Sequence, residues 1–146
     1  MYKKIFLDAN IIADMYDATR PFNKDTLKIM EILFANEKVE LFTSCDILTT
    51  IYYILSKKDK KIALNTIIEI NEWCEVIEFG NKEIKECCEL MKKDKKYKDL
   101  EDTIQYIMAK KISADIILSN DKGFVSENIK LYNSKDFLAK ISSTTK

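Results

Sequence analysis

YKKIFLD, residues 2–8, sets three unbroken apolar residues, Ile5, Phe6 and Leu7, directly before an acid, Asp8. A short apolar run of this kind, bounded by polar residues, reads as a β-strand. Its neighbours read as helices: NIIADMYD (10–17) as a short one and NKDTLKIMEILFANEK (23–38) as an amphipathic one, with Leu27, Met30, Ile32, Leu33 and Phe34 as its apolar positions. The alternation then repeats. VELFTS (39–44) is a second strand; CDILTTIYYILSK (45–57), apolar on nearly all sides, predicts a buried helix; and KKIALNTIIEINEWC (60–74) predicts another. EVIEFG (75–80) is the third strand, followed by the helical NKEIKECCELMKKDKK (81–96) and a helix opened by Asp99. ADIILSND (114–121) is the fourth strand, IKLYN (129–133) a weak fifth, and SKDFLAKI (134–141) a last helix capped by Ser134. Strands that alternate with helices build a parallel sheet covered on both faces. The expectation is one α/β domain over residues 1–141, three layers α/β/α around a five-stranded, mostly parallel sheet, with a frayed tail at 142–146.

The totals narrow the chemistry. At 146 residues the chain is long enough for one domain with a proper core, and 47% hydrophobic with 33% charged residues describes a globular protein. Two glycines and one proline are too few for a fold built on many tight turns. Twenty-four basic residues balance twenty-four acidic ones, so net charge selects no partner. There is no histidine, which removes Ser-His-Asp triads, Cys-His pairs and histidine metal sites together. Cys45, Cys74, Cys87 and Cys88 form no CxxC pair and read as reduced thiols. With no signal-peptide pattern at the start and no apolar run of membrane-spanning length, a cytoplasmic location is expected.

Parallel α/β sheets place their sites beyond the carboxyl ends of the strands, where the strand order reverses. Two predicted strands end in acid there, the first at Asp8 and the fourth at Asp121, the latter preceded by Ser119 and Asn120. A third source is KDLEDTIQY (98–106). Asp99 suits an N-cap, and acids in a first helical turn suit the helix dipole, so the stretch has a purely structural reading. At about 100° per residue, however, Asp99 and Asp102 lie roughly 60° apart on one face, clear of the apolar stripe of Leu100, Ile104, Ile107 and Met108. Glu101 points about 100° away from Asp102 and is the poorer candidate. Carboxylates gathered without histidine or paired thiols suit hard cations such as Mg²⁺ or Mn²⁺.

Three stretches together resemble the PIN-domain family, and within it the VapC-type toxin ribonucleases of bacterial toxin–antitoxin pairs. FLDANII resembles the family's first motif, DLEDTIQYIMA its central helix and ADIILSNDKGF its last, in order along most of the chain. The resemblance implies an Mg²⁺- or Mn²⁺-dependent endoribonuclease, often dimeric, held inactive by a small protein antitoxin. It implies Asp8, Asp102 and Asp121 as catalytic metal carboxylates, Asp99 as an accessory metal acid, and Asn10 and Ser119 as orienting residues. There is one departure: where the family carries a Glu in the helix after the second strand, this chain has Thr50. Asp46, one turn earlier on the same face, either approaches the metal instead or is only a first-turn acid behind Ser44.

Two readings of the surface stay open. The run KKDKKYK (92–98) offers Lys92, Lys93, Lys95, Lys96 and Lys98 to RNA phosphates and Tyr97 to stacking, or is a solvated helix end. Tyr52 and Tyr53, with Ile51, Ile54 and Leu55, form a core stripe or a homodimer surface, the pattern favouring core. The alternative to a ribonuclease is a catalytically weakened PIN-like module that binds RNA or protein, the Glu position being Thr50. A phosphatase using Asp8 as nucleophile ranks last, because DAN lacks the second acid two positions on.

Overall fold

A computed structural model describes residues 2–144 of the chain. Five strands, β1 (Lys4–Leu7), β2 (Glu40–Ser44), β3 (Glu75–Ile77), β4 (Ile116–Leu118) and β5 (Lys130–Tyr132), form one sheet in the order β3-β2-β1-β4-β5. Every pairing is parallel. Seven helices connect and follow them among the described residues: α1 (Ala9–Tyr16), α2 (Asn23–Phe34), α3 (Cys45–Ser56), α4 (Lys60–Trp73), α5 (Asn81–Lys93), α6 (Leu100–Lys111) and α7 (Ser134–Thr144). The two central strands are buried on both faces: Ile5, Phe6, Leu7 and Ile116 to Leu118 are all fully buried. That burial requires helices above and below the sheet, the three-layer α/β/α arrangement the alternation predicts.

The chain winds from β1 to β2 and β3 in one direction, then crosses back to place β4 on the other side of β1. The order therefore reverses between β1 and β4, whose last residues Leu7 and Leu118 are register partners. Asp8 and Ser119 follow those partners directly, so the reversal sets both at one end of the sheet.

Several expected boundaries shift for local reasons. The fourth strand stops at Leu118, because Ser119 Oγ accepts the Asp121 N–H at 3.1 Å and folds 119–121 into a turn. Helix α5 ends at Lys93, where Asp94 captures the Lys96 N–H at 3.0 Å. Helix α3, expected to be buried nearly all round, buries only Ile47 and Ile51. Tyr52 and Tyr53 are exposed, the latter at 64%, with Lys57 Nζ 4.5 Å from its ring centre. The core reading of that aromatic pair is thus overturned: the phenol ends stay in water while the two isoleucines supply the packing. Helix α7 continues to Thr144, so 142–144 of the expected tail are helical, and 145 and 146 lie outside the described residues. No helix among the described residues is long and apolar enough to cross a membrane.

Candidate active site

Asp8 closes β1 and opens α1 as its N-cap, with Oδ1 accepting the Ala9 N–H at 2.8 Å. Its Oδ2 accepts from Ser119 Oγ at 2.7 Å and from Asn10 Nδ2 at 3.1 Å, and the Asn10 amide also reaches Ser119 Oγ at 3.3 Å. The side chain is 5% exposed. Burial raises its pKa, the Ser119, Ala9 and Asn10 donors pull it back, and the charge of Asp121 raises it again. Asn10 and Ser119 thus both donate to the same oxygen of Asp8.

Asp99 caps α6 by accepting the Asp102 N–H at 2.9 Å. Asp102 then stands in the first turn, half-buried, and its carboxyl is pushed up to about 7. Burial is the largest cause, followed by the charges of Asp121, Asp8 and Asp99, with a hydrogen bond that protonated Asp102 donates to the Asp121 side chain adding to it. Asp8, Asp102 and Asp121 therefore lie within each other's fields, on three separate elements of the chain. Asp121 Oδ1 also accepts the Gly123 N–H at 2.8 Å.

Glu101 was set aside on helical arithmetic, yet its carboxyl is raised by burial and then by Asp46, Asp8 and Asp99, so it faces the same acidic wall. The extra methylene of a Glu reaches round the helix face that its Cα direction denies it. Thr50, by contrast, turns its hydroxyl onto the Asp46 carbonyl at 3.2 Å. Asp46 accepts from Gln105 Nε2 at 2.7 Å and from the Ser44 hydroxyl, which also lies 2.6 Å from Gln105 Oε1. Gln105 ties α3 to α6 beside the acids, a partner that sequence reading missed because Gln105 sits among the apolar positions of α6.

A second layer fixes the Ser119–Asp121 turn. The Asn120 N–H donates to Asn10 Oδ1 at 2.8 Å, and its amide donates to Asp14 Oδ2 at 2.7 Å and to Ser134 Oγ at 2.8 Å. Asn120 Oδ1 accepts the Ser134 N–H at 2.8 Å. Asp14, 2% exposed, is also paired with Arg20 at 2.6 Å. The signal for Asp14 was in the sequence: it lies four residues after Asn10, on the same helix face.

Of the lysines, Lys96 and Lys98 line a small cleft of about 70 Å³ with Asp99 and Asp102, while Lys96 pairs with Asp94 and Glu127. Lys92, Lys93 and Lys95 are exposed but do not line that cleft. Tyr97 is not available for stacking on a ligand. It is 4% exposed, packs 5.3 Å from the Tyr106 ring, and its hydroxyl accepts the Glu127 N–H at 3.2 Å.

Residues 5–126 match the model of the PIN domain. The chain belongs to the PIN-domain family. It is similar to ribonuclease VapC1 of Aquifex aeolicus (strain VF5), 47% identical over 135 residues that cover 92% of this chain and 93% of that one. Its fold is similar to that of VapBC2 from Rickettsia felis in complex with a promoter DNA fragment, with a TM-score of 0.69 at 20% identity over 89% of this chain and 98% of that one. The sarcin-ricin loop cleaving toxin VapC20 of Mycobacterium tuberculosis aligns with a TM-score of 0.65 at 17% identity over 84% and 98%. These two likenesses concern the fold.

Whether this PIN domain suits a metal turns on its donors. Among the described residues no group of three or more acids and thiols is arranged to hold an ion as it stands. The chemistry of the donors nevertheless fits a hard divalent cation: the acids are oxygen ligands only, and the charges of Asp121, Asp8 and Asp99 that raise the Asp102 carboxyl are ones a cation would offset.

Proposed function

We propose that the chain is an Mg²⁺- or Mn²⁺-dependent endoribonuclease, the toxin of a toxin–antitoxin pair. The observation that carries this reading is the convergence of Asp8, Asp102 and Asp121 at the reversal of the strand order, in a field strong enough to keep Asp102 protonated near pH 7. The likeness to a curated VapC ribonuclease at 47% identity supports the substrate class. In this reading Asp8, Asp102 and Asp121 hold the cation, and Asp99 contributes charge from the helix cap. A bound divalent ion supplies positive charge to the phosphodiester oxygens and acidifies water at the site.

The protein's own residues do the rest. Ser119 and Asn10 hold Asp8 Oδ2, so its free lone pairs face the site rather than the core. Asp102, its carboxyl pushed up to about 7, would give up its proton to hold the cation. Lys96 and Lys98 hold the phosphate next along the strand, with Lys92, Lys93 and Lys95 extending the basic rim. The structural neighbours named as VapBC2 and FitAB complexes support a protein antitoxin as partner. The exposed Tyr52 and Tyr53 remain the surface for a homodimer.

The test is cleavage of labelled single-stranded RNA with Mn²⁺, with Mg²⁺ and with EDTA, beside Asp8→Asn. Metal-dependent cleavage that disappears in the variant is expected; full activity in Asp8→Asn refutes the assignment. One observation favours a second reading, a weakened RNA- or protein-binding module: Thr50 offers no carboxylate and its hydroxyl is spent on the Asp46 carbonyl. On that reading the wild type is inert and Thr50→Glu gains activity.

A further inference from the structure

The Ser119–Lys122 turn has a second side. Without Asp102 in its lining, it forms one wall of a cleft of about 220 Å³ whose other lining includes Phe22, Asn133 and Asp136. Ser119 and Asp121 belong to both the acidic site and this cleft, so a chain with one phosphate at the acids continues into it. We propose that this cleft receives one unpaired nucleobase of the RNA, stacked on Phe22, immediately beside the phosphate that is cut. The inference rests on the ribonuclease reading above and adds to it a subsite for single-stranded substrate.

Size, surface and rigidity point the same way. The cleft is smaller than the roughly 300–1,000 Å³ of pockets that engulf a whole ligand, and it suits a single flat ring system. Phe22 is 37% exposed, an apolar ring left in water at the edge of a polar site. A lone exposed apolar residue is ordinary. This one is unusual in how firmly its backbone is held. Asn23 N–H donates to the Arg20 carbonyl at 3.2 Å, Asn23 Nδ2 to the Asp14 carbonyl at 2.7 Å, and the Phe22 carbonyl accepts the Thr26 N–H at 2.9 Å. Pro21 stiffens the approach. A ring presented on a rigid ledge loses little freedom when a base stacks on it.

The polar lining argues against a second phosphate. Asn133, in place of the expected Ser134, caps α7: its Oδ1 accepts the Asp136 N–H at 2.8 Å and its Nδ2 donates to Asp136 Oδ2 at 3.2 Å. That leaves Asp121 and Asp136 as acids against one cation, Lys122, which joins none of the ion pairs among the described residues. Two carboxylates repel a phosphate, whereas a neutral base with donor groups on its edge tolerates them. A base held in a duplex presents no free face to Phe22, so the site selects single-stranded or looped RNA.

The experiment measures kcat/KM with Mn²⁺ on a short single-stranded RNA cut at one mapped position, and on the same RNA made abasic at each nucleotide flanking the cut. Proteins compared are the wild type, Phe22→Ala, Phe22→Leu and Phe22→Tyr, with melting curves confirming that each is folded. One abasic position is expected to lower the wild-type value about 5- to 150-fold, the range of a base–aromatic stack. Phe22→Ala and Phe22→Leu are expected to lose a similar factor on intact RNA and nothing further on that abasic RNA, while Phe22→Tyr stays near wild type. Unchanged kcat/KM in folded Phe22→Ala, or losses that multiply independently, overturns the inference and leaves the ring to a protein partner. A wild-type chain that neither binds RNA in an anisotropy titration nor cuts it overturns the ribonuclease reading, and this inference with it.

Discussion

Replacing Asp102 by asparagine should make the protein more stable while removing its activity. Lifting a carboxyl from 3.8 to about 7 corresponds to an upper limit of about 4 kcal/mol against the ionised form in the folded state. The group is only half-buried, so water screens most of that, and about 1–2 kcal/mol is a reasonable remainder. Against it stands the loss of a favourable charge in the first turn of α6, about 0.3–1 kcal/mol. The cap itself survives, because Asp99 binds the backbone N–H of residue 102 and not its side chain. The repulsion wins narrowly, by about 1 kcal/mol, or roughly 3 °C in a domain of this size. The sign with pH follows from the raised pKa. Below about pH 4 the carboxyl is protonated folded and unfolded, and costs nothing. As pH rises from 4 towards 7 the unfolded chain ionises first, so wild-type stability falls and reaches its full deficit above 7. Urea titrations in EDTA at pH 4.5 and pH 8 should therefore show Asp102→Asn gaining on the wild type only at the higher pH. Saturating Mn²⁺ should reverse the order at pH 8, since binding to the native state stabilises the wild type alone. A variant less stable than wild type at pH 8 in EDTA, or a difference that ignores pH, refutes the reasoning.

Other consequences are simpler to state. Asn120→Ala removes side-chain bonds to Asp14 and Ser134 and leaves Asp14 Oδ2 without that donor, though Arg20 still pairs with Oδ1, and should cost about 1–3 kcal/mol in urea unfolding; a loss under about 0.5 kcal/mol would show the network to be dispensable. Lys98→Ala should weaken single-strand RNA binding without altering sequence preference, and flatten the slope of log affinity against log salt by about 0.7; an unchanged slope would remove Lys98 from the phosphate track. Gln105→Leu keeps the volume but leaves Asp46 without its amide donor, and should destabilise α3 against α6 by about 1–3 kcal/mol, read as an earlier urea midpoint; no change would mean that Ser44 alone satisfies the acid.

The sheet was legible because the sequence carries its signal in runs: Ile5–Leu7 and Ile116–Leu118 have no polar interruption, and only a strand buried on both faces tolerates that. Asp8, Asp102 and Asp121 were legible because each ends or begins a predicted element. What escaped was set by tertiary contact. Tyr97 reads as one more residue of a basic run until Tyr106, nine residues along on α6, packs against its ring. Helix α3 reads as buried throughout because tyrosine counts as apolar in a pattern, although two of its tyrosines face water. Cα directions alone also left out the charges of Asp46 and Asp8, which reach Glu101 from other elements of the chain.

The arrangement around Asp8 explains why so many neutral amides and hydroxyls sit behind so few acids. A buried carboxylate within the field of two others is unstable without donors, and Asp8 receives them from Ala9, Asn10 and Ser119. Asn10 can aim its NH₂ group at Asp8 only if its oxygen has a donor of its own, and that donor is the Asn120 N–H. Asn120 is held in turn by Ser134 on α7 and Asp14 on α1. The orientation of one acid therefore depends on three separate parts of the chain, α1, the turn after β4 and α7, meeting at the strand-order reversal. Such a site is assembled only when the whole domain folds, and burial raises the pKa of Asp8 and Asp102, so both oppose that folding when ionised. The surrounding amides and hydroxyls limit that cost at Asp8, where the Ala9, Asn10 and Ser119 donors pull the pKa back down.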